Sequence, residues 1–139
     1  PHKARRLTIR LSCPPSRYSR AELLVSRCYS TTNFATGNPP WCMIDFGEDH
    51  ELVCNHYTMR LDSSQSNLQN WWLQGCNDIS SQENWVTLRV HQDEPLFVHA
   101  DWAVFGKSAR FPYRYFRILA CPPTTTLGIS SIEFYGYYK

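Results

Sequence analysis

Asp45, Glu48, Asp49 and His50 crowd one short stretch of this 139-residue chain. Acid–base catalysis needs two carboxyls whose surroundings push their proton affinities apart. Three carboxyls packed around Gly47 read instead as turn chemistry. Cys54-Asn55-His56 comes nearest to a metal-ligand spacing, because residues i and i+2 of a strand share a face. Two ligands do not close a tetrahedral zinc site, and no Cys-x-x-Cys pair accompanies them. Nothing nearby orients His50 or His56 as a general base for Cys54. The chain lacks a G-x-S-x-G elbow, a phosphate-cradling glycine loop and an H-E-x-x-H helix. The expectation is a protein that is not an enzyme and carries no metal and no cofactor.

The elements that would position any binding residue are short strands. Arg6 to Cys13 alternates, with Leu7, Ile9 and Leu11 on one side and Thr8, Arg10 and Ser12 on the other. Cys13-Pro14-Pro15-Ser16 ends it, since proline donates nothing to a ladder. Residues 20–25 fit either a helical turn or a strand, and 29–40 read as a loop from their Ser, Thr, Asn, Gly and Pro content. Trp41 to Phe46 is a strand with Cys42, Ile44 and Phe46 on the core face. Further strands are expected at 51–61, 70–75, 85–90, 102–105, 114–121 and 129–135. About eight short strands separated by frequent turns imply a β-sandwich or barrel. No repeat or low-complexity linker divides the chain, so residues 1–139 are expected to form one domain. The first residue is Pro1 rather than Met, and the chain is expected to be a fragment of a larger protein.

Composition narrows the partners. Hydrophobic residues are 42% and charged residues 19% of the chain, a globular balance. A net charge of +2 does not call for nucleic acid, and no apolar run is long enough to span a bilayer as a helix. The basic run Lys3-Ala4-Arg5-Arg6 fits a solvated terminus. Aromatic residues make up 14%, and Trp41, Trp72, Trp85 and Phe116 fall within strand patterns, where large rings fill a small core. Six cysteines, Cys13, Cys28, Cys42, Cys54, Cys76 and Cys121, are spread along a chain able to bury its own core. Cys42 and Cys54 have apolar neighbours, and no Asn-x-Ser/Thr sequon occurs. Reduced thiols and an intracellular (cytoplasmic or nuclear) location are expected.

Pro40-Trp41-Cys42-Met43-Ile44-Asp45-Phe46-Gly47 resembles the W-x-x-I-D-L/F-G strand of discoidin (coagulation factor five/eight type C) domains and other galactose-binding-like jelly rolls. The resemblance continues in order. Residues 70–78 and 84–88 look like the x-W-x-L-x-G-S-N-D … W-x-x-L hairpin, and Tyr115-Phe116-Arg117-Ile118 looks like the R-Y-x-R-I strand. Ile132-Glu133-Phe134-Tyr135-Gly136 looks like the closing I-E-F-Y-G. The resemblance implies an all-β, antiparallel jelly-roll β-sandwich. Extracellular members join their ends by a disulfide, but here Gly136 is followed by Tyr137-Tyr138-Lys139. That departure resembles intracellular Doc-like domains and those attached to BTB, kelch or HECT proteins. Asp45 would accept backbone N–H bonds before the Gly47 turn, and Arg117 would point to a wet face.

Jelly rolls of this type bind ligands with loops at one end. Antiparallel strands alternate their connections between ends. With turns 47–50, 77–84 and 106–112 at the closed end, loops 29–40, 61–69, 91–101 and 122–127 gather opposite. The resemblance thus implies a ligand site of Tyr29, Asn33, Phe34, Arg60, Asp62, His91 and Asp93. Lipid-binding discoidin domains carry apolar loop tips, whereas residues 62–67 here are polar, which disfavours phospholipid and membrane insertion. A protein or peptide ligand is expected, in a role such as substrate recruitment to a ubiquitin ligase. The alternative is a carbohydrate, stacked on Phe34 and bonded by Arg60 and Asn33. The isolated domain is expected to be monomeric. Thiol titration in denaturant, after purification without oxidant, should return all six cysteines; a lower count overturns the reduced reading.

Overall fold

Alternation along the strands is realised in two antiparallel sheets. The computed structural model describes residues 8–11, 34–36, 39–61, 68–94, 99–122, 124 and 126–138. Among these the strands are β1 (Thr8–Leu11), β2 (Phe34–Thr36), β3 (Trp41–Asp45), β4 (Leu52–Leu61), β5 (Trp71–Cys76), β6 (Val86–His91), β7 (His99–Ala103), β8 (Tyr115–Ala120) and β9 (Thr126–Tyr138). One sheet runs β1-β3-β8-β5-β6 and the other β2-β9-β4-β7. Their inner faces enclose a core that includes Ile44, Phe46, Tyr57, Met59, Trp71, Leu73, Phe116, Ile118 and Ile132. This is the expected all-β antiparallel jelly-roll sandwich.

Several boundaries differ from the sequence reading for reasons of pairing. The predicted loop 29–40 contains β2, whose Phe34, Ala35 and Thr36 pair with Gly128, Leu127 and Thr126. Pairing at a sheet edge overrides loop composition. β7 begins before residue 102 because its register on β4 runs from Arg60↔His99 to His56↔Ala103. β9 outgrows its prediction because β4 pairs along it as far as Leu52↔Tyr138. Residues 20–25 and Leu7 lie outside the described residues. β1 and β9 fall in different sheets, with Ile9 opposite Ile44 and Leu11 opposite Cys42.

Gly136 has a steric reason to be glycine. A Cβ there would lie 1.8 Å from the Val53 carbonyl oxygen, where the β4–β9 register shifts between Cys54 and His56. The four described cysteines are free thiols, and burial pushes the Cys42 thiol up to about 12 and that of Cys54 up to about 11. Cys13 and Cys28 lie outside the described residues.

Asp45 anchors one end of the sandwich. Its Oδ1 accepts the Gly47 backbone N–H at 2.8 Å, as the turn chemistry requires. The carboxylate also takes a two-pronged bond from Arg114, Nε to Oδ1 at 2.7 Å and Nη2 to Oδ2 at 3.1 Å. Such forks are stronger than neutral hydrogen bonds. Asn77 ties the same end, its Nδ2 donating to the Pro112 carbonyl and its Oδ1 accepting the Arg114 N–H. Asp45→Asn should lower unfolding free energy by about 1–3 kcal/mol, the range for a charged hydrogen bond. Urea denaturation measures it, and a cycle with Arg114→Ala should give a double mutant milder than the sum; full additivity would deny the coupling.

Candidate functional site

The two ends of the sandwich are built differently. Turns 47–50, 77–84 and 106–112 share the end locked by Asp45, Arg114 and Asn77. At the other end, Pro40, Gln69, Asn70, Glu94, Ala120 and Cys121 are joined by backbone bonds, including Ala120 N–H to Pro40 O and Cys121 N–H to Asn70 O, both 3.0 Å. The loops expected to gather there leave from these residues.

Arg60 is half-buried near the end of β4, where the register on β9 shifts between Arg60 and Leu61. The unpaired residue at this shift is Ser130 of β9, across from the Arg60–Leu61 step; bulges locally bend and twist a strand pair. Leu61 stands opposite Ile129 and Phe34 opposite Gly128, so β4 and β2 bring these positions to adjacent rungs of β9. Asp93 is exposed in a left-handed turn (φ 51°), and its backbone N–H donates to Asn70 Oδ1 at 2.9 Å. The predicted positions Tyr29, Asn33 and Asp62 lie outside the described residues.

His91 differs most from its expected role as a loop contact. It ends β6 and is 1% exposed, with its ring stacked on Trp71 at 4.1 Å between centroids. Nε2 lies 2.6 Å from the Tyr57 hydroxyl and Nδ1 lies 2.7 Å from Glu94 Oε2. Trp71 Nε1–H donates to the Tyr57 hydroxyl at 3.0 Å, and Trp102 Nε1–H donates to Glu94 Oε1 at 3.1 Å. One assignment satisfies every group: Tyr57 donates to Nε2, and Nδ1–H donates to Glu94. The imidazole is then neutral and fully occupied, so it props the loop end from beneath. Burial holds its pKa below the ordinary 6.5, outweighing the opposite pull of Glu94.

Sequence reasoning missed Tyr57, Trp71, Glu94 and Trp102 as members of this network. It placed Trp72 in the core, whereas Trp71 is fully buried and Trp72 is 38% exposed. The signal was present: Trp71 shares period-two parity with Leu73, and Trp72 with Gln74. Of the other rings expected inside, Phe116 is fully buried, while Trp41 and Trp85 are half-buried and pack with Met43, Cys76 and Tyr115 outside the main core. Arg117 does face away from that core, but it is only 8% exposed. The 77–85 connection covers it: Gln82 Oε1 accepts from Nη1 at 3.0 Å and the Trp85 ring lies 4.2 Å from the guanidinium carbon.

Among the described residues no group of three His, Cys, Asp or Glu side chains could hold a metal ion, and no helix is long and apolar enough to cross a membrane.

Fold and strand order define a galactose-binding-like jelly roll, and solved structures agree. The chain is similar to the CBM62 of Xyl5A from Clostridium thermocellum, at 19% identity, with 94% of each chain covered and a TM-score of 0.71. It is similar to an F5/8 type C domain from Bacteroides fragilis, at 18% identity, covering 96% of this chain and 91% of that one, with a TM-score of 0.67. It is also similar to CpGH89CBM32-5 from Clostridium perfringens, solved in complex with GalNAc-β-1,3-galactose, at 9% identity, 94% coverage of both chains and a TM-score of 0.65. In sequence, the whole chain is 32% identical, over a 155-residue alignment, to the BTB/POZ domain-containing protein At2g30600 of Arabidopsis thaliana. The chain spans 19% of that relative's length. No protein-family model matches the chain.

The His91 network makes stability depend on pH with a definite sign. The folded state keeps His91 neutral, so below the ordinary 6.5 the unfolded chain binds the proton first. The contribution is whole above that value and fades as pH falls toward the lowered folded value. Protonated Nε2 would also be a second donor facing the Tyr57 hydroxyl. Unfolding free energies from urea titrations between pH 7 and roughly pH 5 should therefore fall, by at most about 1.4 kcal/mol per pH unit for this one group. His91→Gln should flatten the slope; an unchanged slope in the variant would place its origin elsewhere.

Proposed function

We propose that this chain is a non-catalytic recognition module that binds a protein or peptide partner through its loop end, with Arg60 as a principal contact. The observation that carries this reading is the division of the sandwich into a locked end and a loop end, with Arg60 near the end of β4 on the rim of the latter, facing the register shift on β9. Loops on a rigid frame can carry specificity without disturbing the core. A guanidinium carried near a strand end gives a directional fork for a carboxylate or carbonyl, which lysine cannot copy. Likeness along the whole chain to part of a BTB/POZ domain-containing protein supports a protein partner, and substrate recruitment to a ubiquitin ligase within a larger intracellular protein belongs to this reading.

Carbohydrate binding at the same end is the second reading. The sugar-bound CpGH89CBM32-5 neighbour favours it.

Pull-down from cytosol and a glycan array, run side by side, separate the two. Arg60→Ala should weaken binding by about 1–3 kcal/mol, the range for a lost charged hydrogen bond. Lys107→Ala, exposed at the closed end, should leave binding unchanged. Saturable capture of one protein supports the first reading, and a glycan hit without a protein partner supports the second. Loss of binding in the Lys107 variant but not in the Arg60 variant would put the site at the wrong end.

A further inference from the structure

A different surface, the outer face of the five-stranded sheet, carries a buried charge with no counter-charge among the described residues. Arg117 projects from β8 on that face, and its Nε donates to Gln74 Oε1 at 2.7 Å while Nη1 donates to Gln82 Oε1 at 3.0 Å. Both partners are neutral amides. Among the described residues no carboxylate stands within ion-pair distance of Arg117, and Nη2 has no acceptor. Face contact with Trp85 offsets part of the desolvation of the cation. Burial lowers its pKa, yet a guanidinium stays charged at neutral pH. A buried cation satisfied by amides alone is one anion short of a strong pair.

Beside it opens a pocket of about 170 Å³, lined by Trp41, Met43, Ile79, Gln82, Trp85 and Arg117. Sites for whole drug-sized ligands run to about 300–1,000 Å³, so this one admits a single compact group. Its walls are indole, thioether, aliphatic and Gln82 amide surfaces, with the guanidinium as the charged element. An apolar row runs across the same face from the pocket mouth. Trp41 stands opposite Leu119, Leu119 opposite Trp72, and Trp72 opposite Val90. Trp72 is 38% and Val90 51% exposed. The row leaves apolar area open to solvent next to an uncompensated positive charge.

We infer that this face is a second binding site, separate from the loop end, for a carboxylate carried on a compact apolar body. The carboxylate completes Arg117 through Nη2, the apolar body fills the space between Trp41 and Trp85, and flanking apolar groups lie along Leu119, Trp72 and Val90. A free organic acid and an acidic side chain in an apolar peptide share this chemistry; only the second reaches the row.

Nitrogen-15 NMR titration tests it on the whole chain, reading the indole N–H signals of Trp41 and Trp85 and the Nε–H of Arg117. The probes are phenylacetate against phenylacetamide, and acetyl-Leu-Glu-Leu-amide against acetyl-Leu-Gln-Leu-amide. At least one acid should saturate these signals and bind fivefold or more tighter than its neutral counterpart. Trp72→Ala should weaken the peptide and spare phenylacetate; peptide binding with that dependence points to a polypeptide, and phenylacetate binding alone points to a free acid. Arg117→Gln removes the charge but also a fold contact, so Ile79→Asp is the decisive variant. It sets an intramolecular carboxylate beside an intact Arg117 and should abolish the preference for acid. Arg60→Ala should leave both titrations unchanged, which keeps this result independent of the loop-end reading. Equal binding of acid and amide, no saturable shift from either acid, or an acid preference that survives Ile79→Asp overturns the inference.

Discussion

The two sheets are held in one arrangement by a polar chain, Trp71–Tyr57–His91–Glu94–Trp102, buried except at Glu94. Trp71 and His91 belong to β5 and β6 of one sheet, and Tyr57 and Trp102 to β4 and β7 of the other. Hydrophobic contact between sheets is non-directional and tolerates sliding. Hydrogen bonds of 2.6 to 3.1 Å do not. Each contributes only about 1 kcal/mol net, but leaving one of these buried groups unpaired costs its full desolvation. A shift of one sheet on the other would break several at once, so the network sets the relation between the sheets more than it adds stability.

That constraint separates support from recognition. With the His91 network beneath the loop end and the Asp45–Arg114 fork at the closed end, the frame is braced at both extremities. Asp45 and Arg117 illustrate the difference between a finished charge and an unfinished one. Asp45 has a bidentate cation and a backbone donor, and its electrostatics close within the fold. Arg117, buried to a similar degree, has two amides and an aromatic face.

Much of the architecture was legible before any coordinates. Cys42, Ile44 and Phe46 could be assigned to the core because strand alternation is a local property of a pleated backbone. The Gly47 turn could be read because Asp45 reaches a backbone N–H only two residues away. The division of the connections between two ends followed from antiparallel order alone. Less of the candidate site was legible. Arg60 is on its expected strand near the rim, but His91 was read as a loop residue when its ring is a strut. β2 was hidden in loop composition because its partner, β9, lies some ninety positions further along.

What the sequence determined by itself is the alternation, the turns and therefore the all-β class, each resting on interactions between residues close in the chain. What only the tertiary structure decided is which distant groups meet. Asp45 and Arg114 are 69 positions apart, Tyr57 and His91 are 34, and Arg117 and Gln74 are 43. Period two says which face a side chain takes, but not which neighbour waits across a sheet or between sheets. That neighbour depends on registers and bulges fixed by the assembled sandwich, as at Leu73/Gln74 and Arg60/Leu61. For the same reason the sequence could place Arg117 on the outer face, while only the folded chain shows it covered by Gln82 and Trp85 and held by amides.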